Sequence, residues 1–253
     1  MTGALYVVGL GPGHSAQLTP EAAEALAGAE VLLGYGPYLA RVPERTGQLR
    51  EASDNGEELA RAAAALERAV AGERVAMVSG GDPGVFAMAS AICEAIETGP
   101  ECWRQVDLHI LPGVTAMLAV AARVGAPLGH DFCAINLSDN LKPWPLVEKR
   151  LAAAAGAGFV LAVYNPVSRA RPWQLPAALD LLRRHLPATT PVIFGRAVGR
   201  ADERVVITAL GEADAAFADM ATCVLIGSAE TRIVRRPGKE PLVYTPRSAR
   251  PSA

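Results

Sequence analysis

Along the chain, short runs of Val, Leu and Ile alternate with longer alanine-rich runs in which apolar residues recur every three to four positions. Short, nearly continuous apolar runs read as strands buried on both faces, and the longer runs as helices covering them. The pattern therefore predicts an α/β fold with parallel strands. Leu5 to Val8 begins as a strand, and Gly9-Leu10-Gly11-Pro12-Gly13 turns the chain. Thr19-Pro20-Glu21 then offers an N-cap, an N1 proline and an acidic first turn for a helix over 21–28. Val31 to Leu33 reads as a second strand. The cycle repeats with a helix over Glu57 to Ala71 and a strand over Arg74 to Ser79. A second glycine turn follows, Gly80-Gly81-Asp82-Pro83-Gly84, and then a helix from Val85 to Glu97. A third round runs through the strand Val106 to Leu111 and Pro112-Gly113-Val114, with Thr115 as N-cap of a helix over Ala116 to Val124.

A Gly- and Pro-rich stretch, Gly125-Ala126-Pro127-Leu128-Gly129, precedes a second set of elements. Strands are expected at Phe132 to Leu137, Phe159 to Tyr164, Pro191 to Gly195, Arg204 to Leu210 and Thr222 to Gly227. Helices are expected near Pro145 to Ala155 and Gln174 to His185. The division that follows is an N-terminal α/β domain over 1–113, a connection over 114–130, a C-terminal α/β domain over 131–234 and a basic, Pro-containing tail over 235–253. Two such domains would bring glycine-rich strand ends to either side of a cleft.

Composition narrows the chemistry. Of 253 residues 51% are hydrophobic but only 5% aromatic, which suits alanine- and valine-rich helix-on-sheet layers. The net charge of −2 provides no basic field for a phosphate polymer, so a nucleic-acid partner is not expected. Arg235, Arg236, Lys239, Arg247 and Arg250 stand against Glu240 alone in the tail, a short basic run that ordinarily is solvated. Cys93, Cys102, Cys133 and Cys223 form no paired spacing, which argues against a metal site and a disulfide framework and for a reducing cytoplasm. Met1-Thr2-Gly3-Ala4 lacks a basic leader, and the apolar stretch from Leu151 to Val163 is too short to span a bilayer, so no membrane partner is expected.

The first glycine turn invites comparison with a dinucleotide fingerprint, but the details fail. A glycine is needed at 14, where His14 stands. Pro12 removes an N–H that a phosphate would use, and Gly34 occupies the end of the second strand, where an acidic ribose ligand belongs. Gly80-Gly81-Asp82 admits two readings, backbone laid against a ligand or Asp82 merely capping the next helix. Because ligands of open α/β sheets lie beyond the carboxyl ends of strands, three glycine loops at three strand ends point to one place.

Taken together, these loops closely resemble the tetrapyrrole methylases, S-adenosyl-L-methionine-dependent enzymes of corrin and sirohaem synthesis. The matching stretches are residues 9–13 with Leu18-Thr19-Pro20-Glu21-Ala22, Gly80-Gly81-Asp82-Pro83-Gly84-Val85-Phe86, and Pro112-Gly113-Val114-Thr115-Ala116. Gly34-Tyr35-Gly36-Pro37-Tyr38-Leu39, Leu137-Ser138-Asp139-Asn140-Leu141 with Pro143-Trp144, Tyr164-Asn165-Pro166-Val167-Ser168-Arg169 and Tyr244-Thr245-Pro246-Arg247 are similar to the subgroup that methylates a precorrin and contracts its ring. The resemblance implies two α/β domains with the cofactor in the cleft between them, a homodimer, and S-adenosyl-L-homocysteine as the spent cofactor. Carried over residue by residue, Gly80, Gly81, Asp82, Val85, Thr115, Ala116, Asn165 and, by a looser match, Ala197 would contact the cofactor. Gly11, Pro12 and Gly13 would lie nearer the tetrapyrrole.

Methyl transfer from a sulfonium needs positioning and exclusion of water rather than a protein nucleophile. A precorrin bears several carboxylates, which guanidinium groups would meet. Arg41, Lys142, Arg169, Arg171, Arg196 and Arg200 lie in or near expected strand-end loops, with Arg169 foremost because it follows Tyr164-Asn165-Pro166. Ring contraction, as the resemblance implies it, also moves a proton at an oxygenated carbon. His14, Ser138 and Asp139 are the candidate acid or base groups, His14 and Asp139 ahead of Ser138. The other readings are a nicotinamide oxidoreductase, an RNA or diphthamide methylase on the same scaffold, and a non-catalytic ligand-binding module.

Overall fold

The structure, a computed structural model, describes residues 3–54, 56–168 and 170–248. Arg169 and Arg250 lie outside the described residues. The chain divides into two compact units, Met1–Thr115 and Ala116–Ala253.

The first unit contains β1 (Ala4–Gly9), α1 (Pro20–Gly28), β2 (Val31–Tyr35), α2 (Gly36–Leu39), β3 (Leu49–Ser53), α3 (Glu58–Val70), β4 (Arg74–Ser79), α4 (Met88–Thr98) and β5 (Asp107–Leu111). Its sheet has the order β3-β2-β4-β1-β5 with every neighbouring pair parallel. The two-residue strand period divides the core. Leu5, Val7, Val31, Leu33, Val75 and Met77 face α3 and α4, whereas Val8, Leu32, Ala76 and Val78 pack with Ala22, Leu26 and Leu39 on the other side. Thr19 caps α1 as expected, its Oγ1 accepting from the Ala22 amide at 3.2 Å. β3 has almost no apolar signal. It forms because its edge position needs pairing only with β2, and Arg50 on it donates to the carbonyls of Leu39, Val42 and Pro43.

The second unit contains α5 (Ala116–Val124), β6 (Gly125–Ala126), β7 (Phe132–Asn136), α6 (Trp144–Gly156), β8 (Val160–Tyr164), α7 (Gln174–Leu182), β9 (Pro191–Arg196), β10 (Arg204–Ala209), β11 (Thr222–Ile226), β12 (Arg232–Arg236) and β13 (Lys239–Tyr244). Its main sheet has the order β10-β9-β11-β8-β7, and here the all-parallel expectation fails. Only β7 and β8 run parallel, while the other three pairs are antiparallel. The reason is the connections. Residues 197–203, which join the neighbouring β9 and β10, are too short for the crossover of a dozen or more residues, usually helical, that a parallel return needs, so β10 runs back antiparallel. The longer connection 210–221 carries the chain past β9, and β11 inserts antiparallel between β9 and β8. Leu161, Val163, Phe194, Val224 and Ile226 pack with Val147 and Leu151 of α6 and Leu175, Leu179 and Leu182 of α7.

Residues 116–126, part of the stretch read as a connection, are helix and strand of this unit. A Cβ on Gly195 of β9 would stand 2.2 Å from a Val120 methyl of α5, so the glycine sets how closely that helix lies on the sheet. The tail is also structured over its described part. β12 and β13 form a hairpin across Pro237-Gly238, with Gly238 at φ 67°, and β13 pairs with β6. Thr245 ties it down, its Oγ1 donating to the buried Pro127 carbonyl at 2.6 Å. No helix among the described residues is long and apolar enough to cross a membrane.

Candidate functional site

In the first unit the three glycine loops meet backbone to backbone. The amides and carbonyls of Gly11 and Gly81 bond each other reciprocally at 3.1 and 3.0 Å, both residues in the left-handed region at φ 66° and 67°. Asp82 clamps the third loop. One carboxylate oxygen accepts from the Gly84 amide at 2.8 Å and the other from the Gly113 amide at 3.0 Å. Helix α4 begins only at Met88, with Ala87 as its N-cap and no side-chain cap, so the capping reading of Asp82 is overturned. The carboxylate is needed earlier, where it joins two strand ends that its Asx-turn alone would leave apart.

These glycines exist for one another as much as for a ligand. A Cβ on Gly113 would stand 2.3 Å from the Gly81 carbonyl oxygen, one on Gly9 2.7 Å from the Gly113 amide, and one on Gly80 2.7 Å from the Tyr38 ring. Arg41, read from sequence as a reader of substrate carboxylates, donates instead to the Leu10 and Gly11 carbonyls at 3.0 and 2.8 Å and so supports the first loop. Pro12 and Gly13 continue that loop half-buried. His14 is exposed and caps the 3-10 turn Ser15–Gln17, its Nδ1 accepting from the Ala16 amide at 3.1 Å. With Nδ1 an acceptor, the ring proton of the neutral imidazole resides on Nε2. Val85 is half-buried in the loop before α4, and Thr115 is buried at the end of the unit.

The second unit assembles another cluster at the carboxyl ends of β7 and β8, whose parallel register sets Asn136 beside Tyr164. Asn136 Oδ1 accepts from the Ser138 amide at 2.8 Å and from Asn165 Nδ2 at 3.0 Å. Arg171 Nη1 donates to Ser138 Oγ at 2.9 Å and lies 3.5 Å from Asp139 Oδ1, which also accepts from Gln174 Nε2 at 3.1 Å. The Tyr164 hydroxyl accepts from the Met117 amide at 3.0 Å, joining β8 to the start of α5 beside Ala116. Lys142 follows in the same loop as Asp139, and burial, reinforced by Arg150, pulls its ammonium below its ordinary value.

Ala197 begins the loop after β9, bonded to the Ala221 carbonyl. Arg196 beside it is committed elsewhere, donating to Asp219 and Asp202 at 2.7 Å each, and is therefore withdrawn as a substrate ligand. Its bonds hold Asp202 below the ordinary carboxylate value. Burial pushes Asp219 the other way, but the donors Arg196, Thr222 and the Ala221 amide outweigh it.

Backbone strain singles out the same places. Among the described residues the non-glycine positions in the left-handed region are Phe86, Asn165 and Ala197, at φ 52°, 50° and 48°. Such strain costs about 1–3 kcal/mol per residue and gathers at ligand clamps. Asn165 and Ala197 belong to the sequence-derived cofactor set, and Phe86 directly follows Val85, another member. Asn136 and Gln174 carry no motif of their own, and their roles come from register and packing.

The family model for Tetrapyrrole (Corrin/Porphyrin) Methylases matches residues 4–214. The chain is 68% identical over 247 residues to a precorrin-3B C(17)-methyltransferase of Sinorhizobium sp, covering 98% of this chain and 97% of that protein. The crystal structure of the methyltransferase CobJ matches with a TM-score of 0.92 at 51% identity, covering 97% of this chain and 100% of the other. A uroporphyrin-III C-methyl transferase from Thermus thermophilus, complexed with S-adenyl homocysteine, shares the fold with a TM-score of 0.66 at 24% identity, covering 90% of this chain and 98% of the other. With more than half of its length matched by the family model and a near-full-length relative, this chain is a member of the tetrapyrrole methylase family.

Proposed function

We propose that this protein transfers a methyl group from S-adenosyl-L-methionine to carbon 17 of precorrin-3B with contraction of the macrocycle, a step of cobalamin synthesis. The observation that carries the reading is the near-full-length 68% identity to the Sinorhizobium C-17 enzyme. When bound, the sulfonium supplies an already activated methyl group and leaves as the neutral thioether. The chain's task is to hold donor and acceptor in line and to keep water out.

For the cofactor we assign Gly80, Gly81, Asp82, Val85 and Thr115 in the first unit and Ala116, Asn165 and Ala197 in the second. The support is the glycine cradle, the Asp82 clamp and the strained backbone at 165 and 197. The loop of Gly11, Pro12 and Gly13 serves the tetrapyrrole, as does Arg169. Ser138 and Asp139 stand in a hydrogen-bonded loop suited to fixing oxygen atoms of the substrate. His14 or Asp139 moves the proton that contraction requires. The enzyme acts as a homodimer in the cytoplasm, where its free thiols remain reduced.

Incubation with precorrin-3B and methyl-labelled cofactor, followed by mass measurement, tests the reading. A gain of one labelled methyl is expected. Unchanged precorrin-3B, or methylation only of a cobalt-bearing analogue, overturns the assignment.

A further inference from the structure

The loop after β7 holds Ser138 twice, by its amide on Asn136 Oδ1 and by its hydroxyl oxygen on Arg171 Nη1. A guanidinium carries only donors, so Ser138 Oγ is the acceptor in this bond and its own O–H proton remains to be given elsewhere. No other described residue bonds that hydroxyl, and Ser138 is only half-buried.

Arg171 is itself fixed. Its backbone and that of Ser168 bond each other in both directions at 3.0 and 3.2 Å, closing a tight turn after β8. The same Nη1 lies 3.5 Å from Asp139 Oδ1, and buried Gln174, 2% exposed, donates to that oxygen at 3.1 Å. Asp139 Oδ2 takes none of these bonds. The pair therefore presents one hydroxyl proton and one carboxylate oxygen side by side, next to Asn136, which also holds Asn165.

We infer that Arg171 is a positioning residue for the reaction, a role that rests on the methyltransferase reading above. By occupying an acceptor lone pair of Ser138 Oγ it orients the hydroxyl to donate a hydrogen bond to an oxygen of the tetrapyrrole, and it anchors Asp139 beside it. A precorrin offers such oxygens in its carboxylate side chains and at the contracting edge. A donor aimed at a carboxylate changes KM, and one aimed at the contracting edge changes kcat.

The test compares Arg171→Gln, Arg171→Lys, Ser138→Ala and the Arg171→Gln, Ser138→Ala double variant. The readouts are kcat and KM with precorrin-3B, S-adenosyl-L-homocysteine affinity by calorimetry, and amide hydrogen exchange over 138–142. Arg171→Gln and Ser138→Ala are each expected to lose about 10- to 100-fold in kcat/KM, the range of a hydrogen bond involving a charged group. The double variant should be no worse than the poorer single, because both changes silence one hydroxyl. Lysine, with one prong instead of a fork, should recover part of the loss. Cofactor affinity and melting temperature should stay at wild-type values. Multiplying losses in the double variant, or full activity of Arg171→Gln, would overturn the inference. Should wild-type protein leave precorrin-3B untouched, the parent reading falls, and exchange still judges Arg171. Exchange about tenfold faster over 138–142 in Arg171→Gln upholds its hold on the loop, and unchanged exchange sinks it.

Discussion

Gly113 is the most exposed test of how the first unit's cradle is built. A Cβ there would stand 2.3 Å from the Gly81 carbonyl oxygen and 2.9 Å from the carbonyl carbon and oxygen of Gly9, all backbone atoms that no rotamer change can move. Ordinary contact begins at 3.4 Å, so Gly113→Ala must push its loop back by about 1 Å against close-packed neighbours. Overpacking of this kind costs about 1–3 kcal/mol. The retreat also breaks the 3.0 Å bond from the Gly113 amide to Asp82, for which about 1–3 kcal/mol more is expected of a charged acceptor. With the two terms together at about 2–6 kcal/mol and about 2–4 °C per kcal/mol for a chain of this size, the melting temperature followed by circular dichroism should fall by roughly 4–24 °C. Calorimetry should show S-adenosyl-L-homocysteine affinity lowered about tenfold or more, since Asp82 loses one of the two loops it joins. Gly156→Ala is the matched control. That glycine ends α6 with nothing within 4 Å of a Cβ, and alanine should stabilise by about 0.5–1 kcal/mol. A Gly113→Ala protein melting within about a degree of wild type would refute the packing account, because the same substitution must give opposite signs at the two sites.

Two further outcomes test the loop after β9 and the proton-transfer candidates. Glu203 accepts from Arg123 at 2.6 and 3.0 Å and from the Gly199 amide at 2.7 Å. These bonds, Arg123 foremost, hold its carboxyl below the ordinary value of 4.5 despite the opposing effect of burial. A lowered native value gives stability that is complete above the unfolded value and lost as pH falls through the native one. Glu203→Gln should therefore be less stable to urea at pH 7, with the gap narrowing steadily as pH falls below about 4.5; a gap that stays constant down through the acid range contradicts the linkage. His14→Ala and Asp139→Asn, measured separately, should differ: one slows ring-contracted product by about 100- to 10,000-fold while the other stays near wild type. Full activity in both removes both from the proton transfer.

Most elements of the chain were legible before any coordinates. Strand β4 and helix α5 fall on the residues that periodicity alone marks, and Thr19-Pro20-Glu21 opens α1 as its capping chemistry requires. The misses have a common cause. β3, with the sequence Leu49-Arg50-Glu51-Ala52-Ser53, is a strand because β2 offers it an edge, and the hairpin of β12 and β13 because β6 pairs with it. Helix α4 starts at Met88 rather than Val85 because residues 83–87 form turns and bends with Phe86 in the left-handed region at φ 52°, a conformation a right-handed helix cannot contain.

The candidate site divides in the same way. Glycine loops at strand ends, the Asp82 position and the Asn165 turn are local signals that the linear sequence carries by itself, since they depend on residue type and spacing within a few positions. Which arginines are free to meet a substrate is not local. Arg41, Arg171 and Arg196 look alike as residues near loops, yet one supports the Gly11 turn, one orients Ser138, and one is spent on Asp202 and Asp219. A long side chain takes whichever acceptor the fold brings within about 3 Å, and only tertiary structure sets those distances. The sequence determined the family, the order of elements and the glycine cradle. The direction of the strands in the second unit, the partners of each guanidinium and the backbone strain at Phe86, Asn165 and Ala197 were decided by packing.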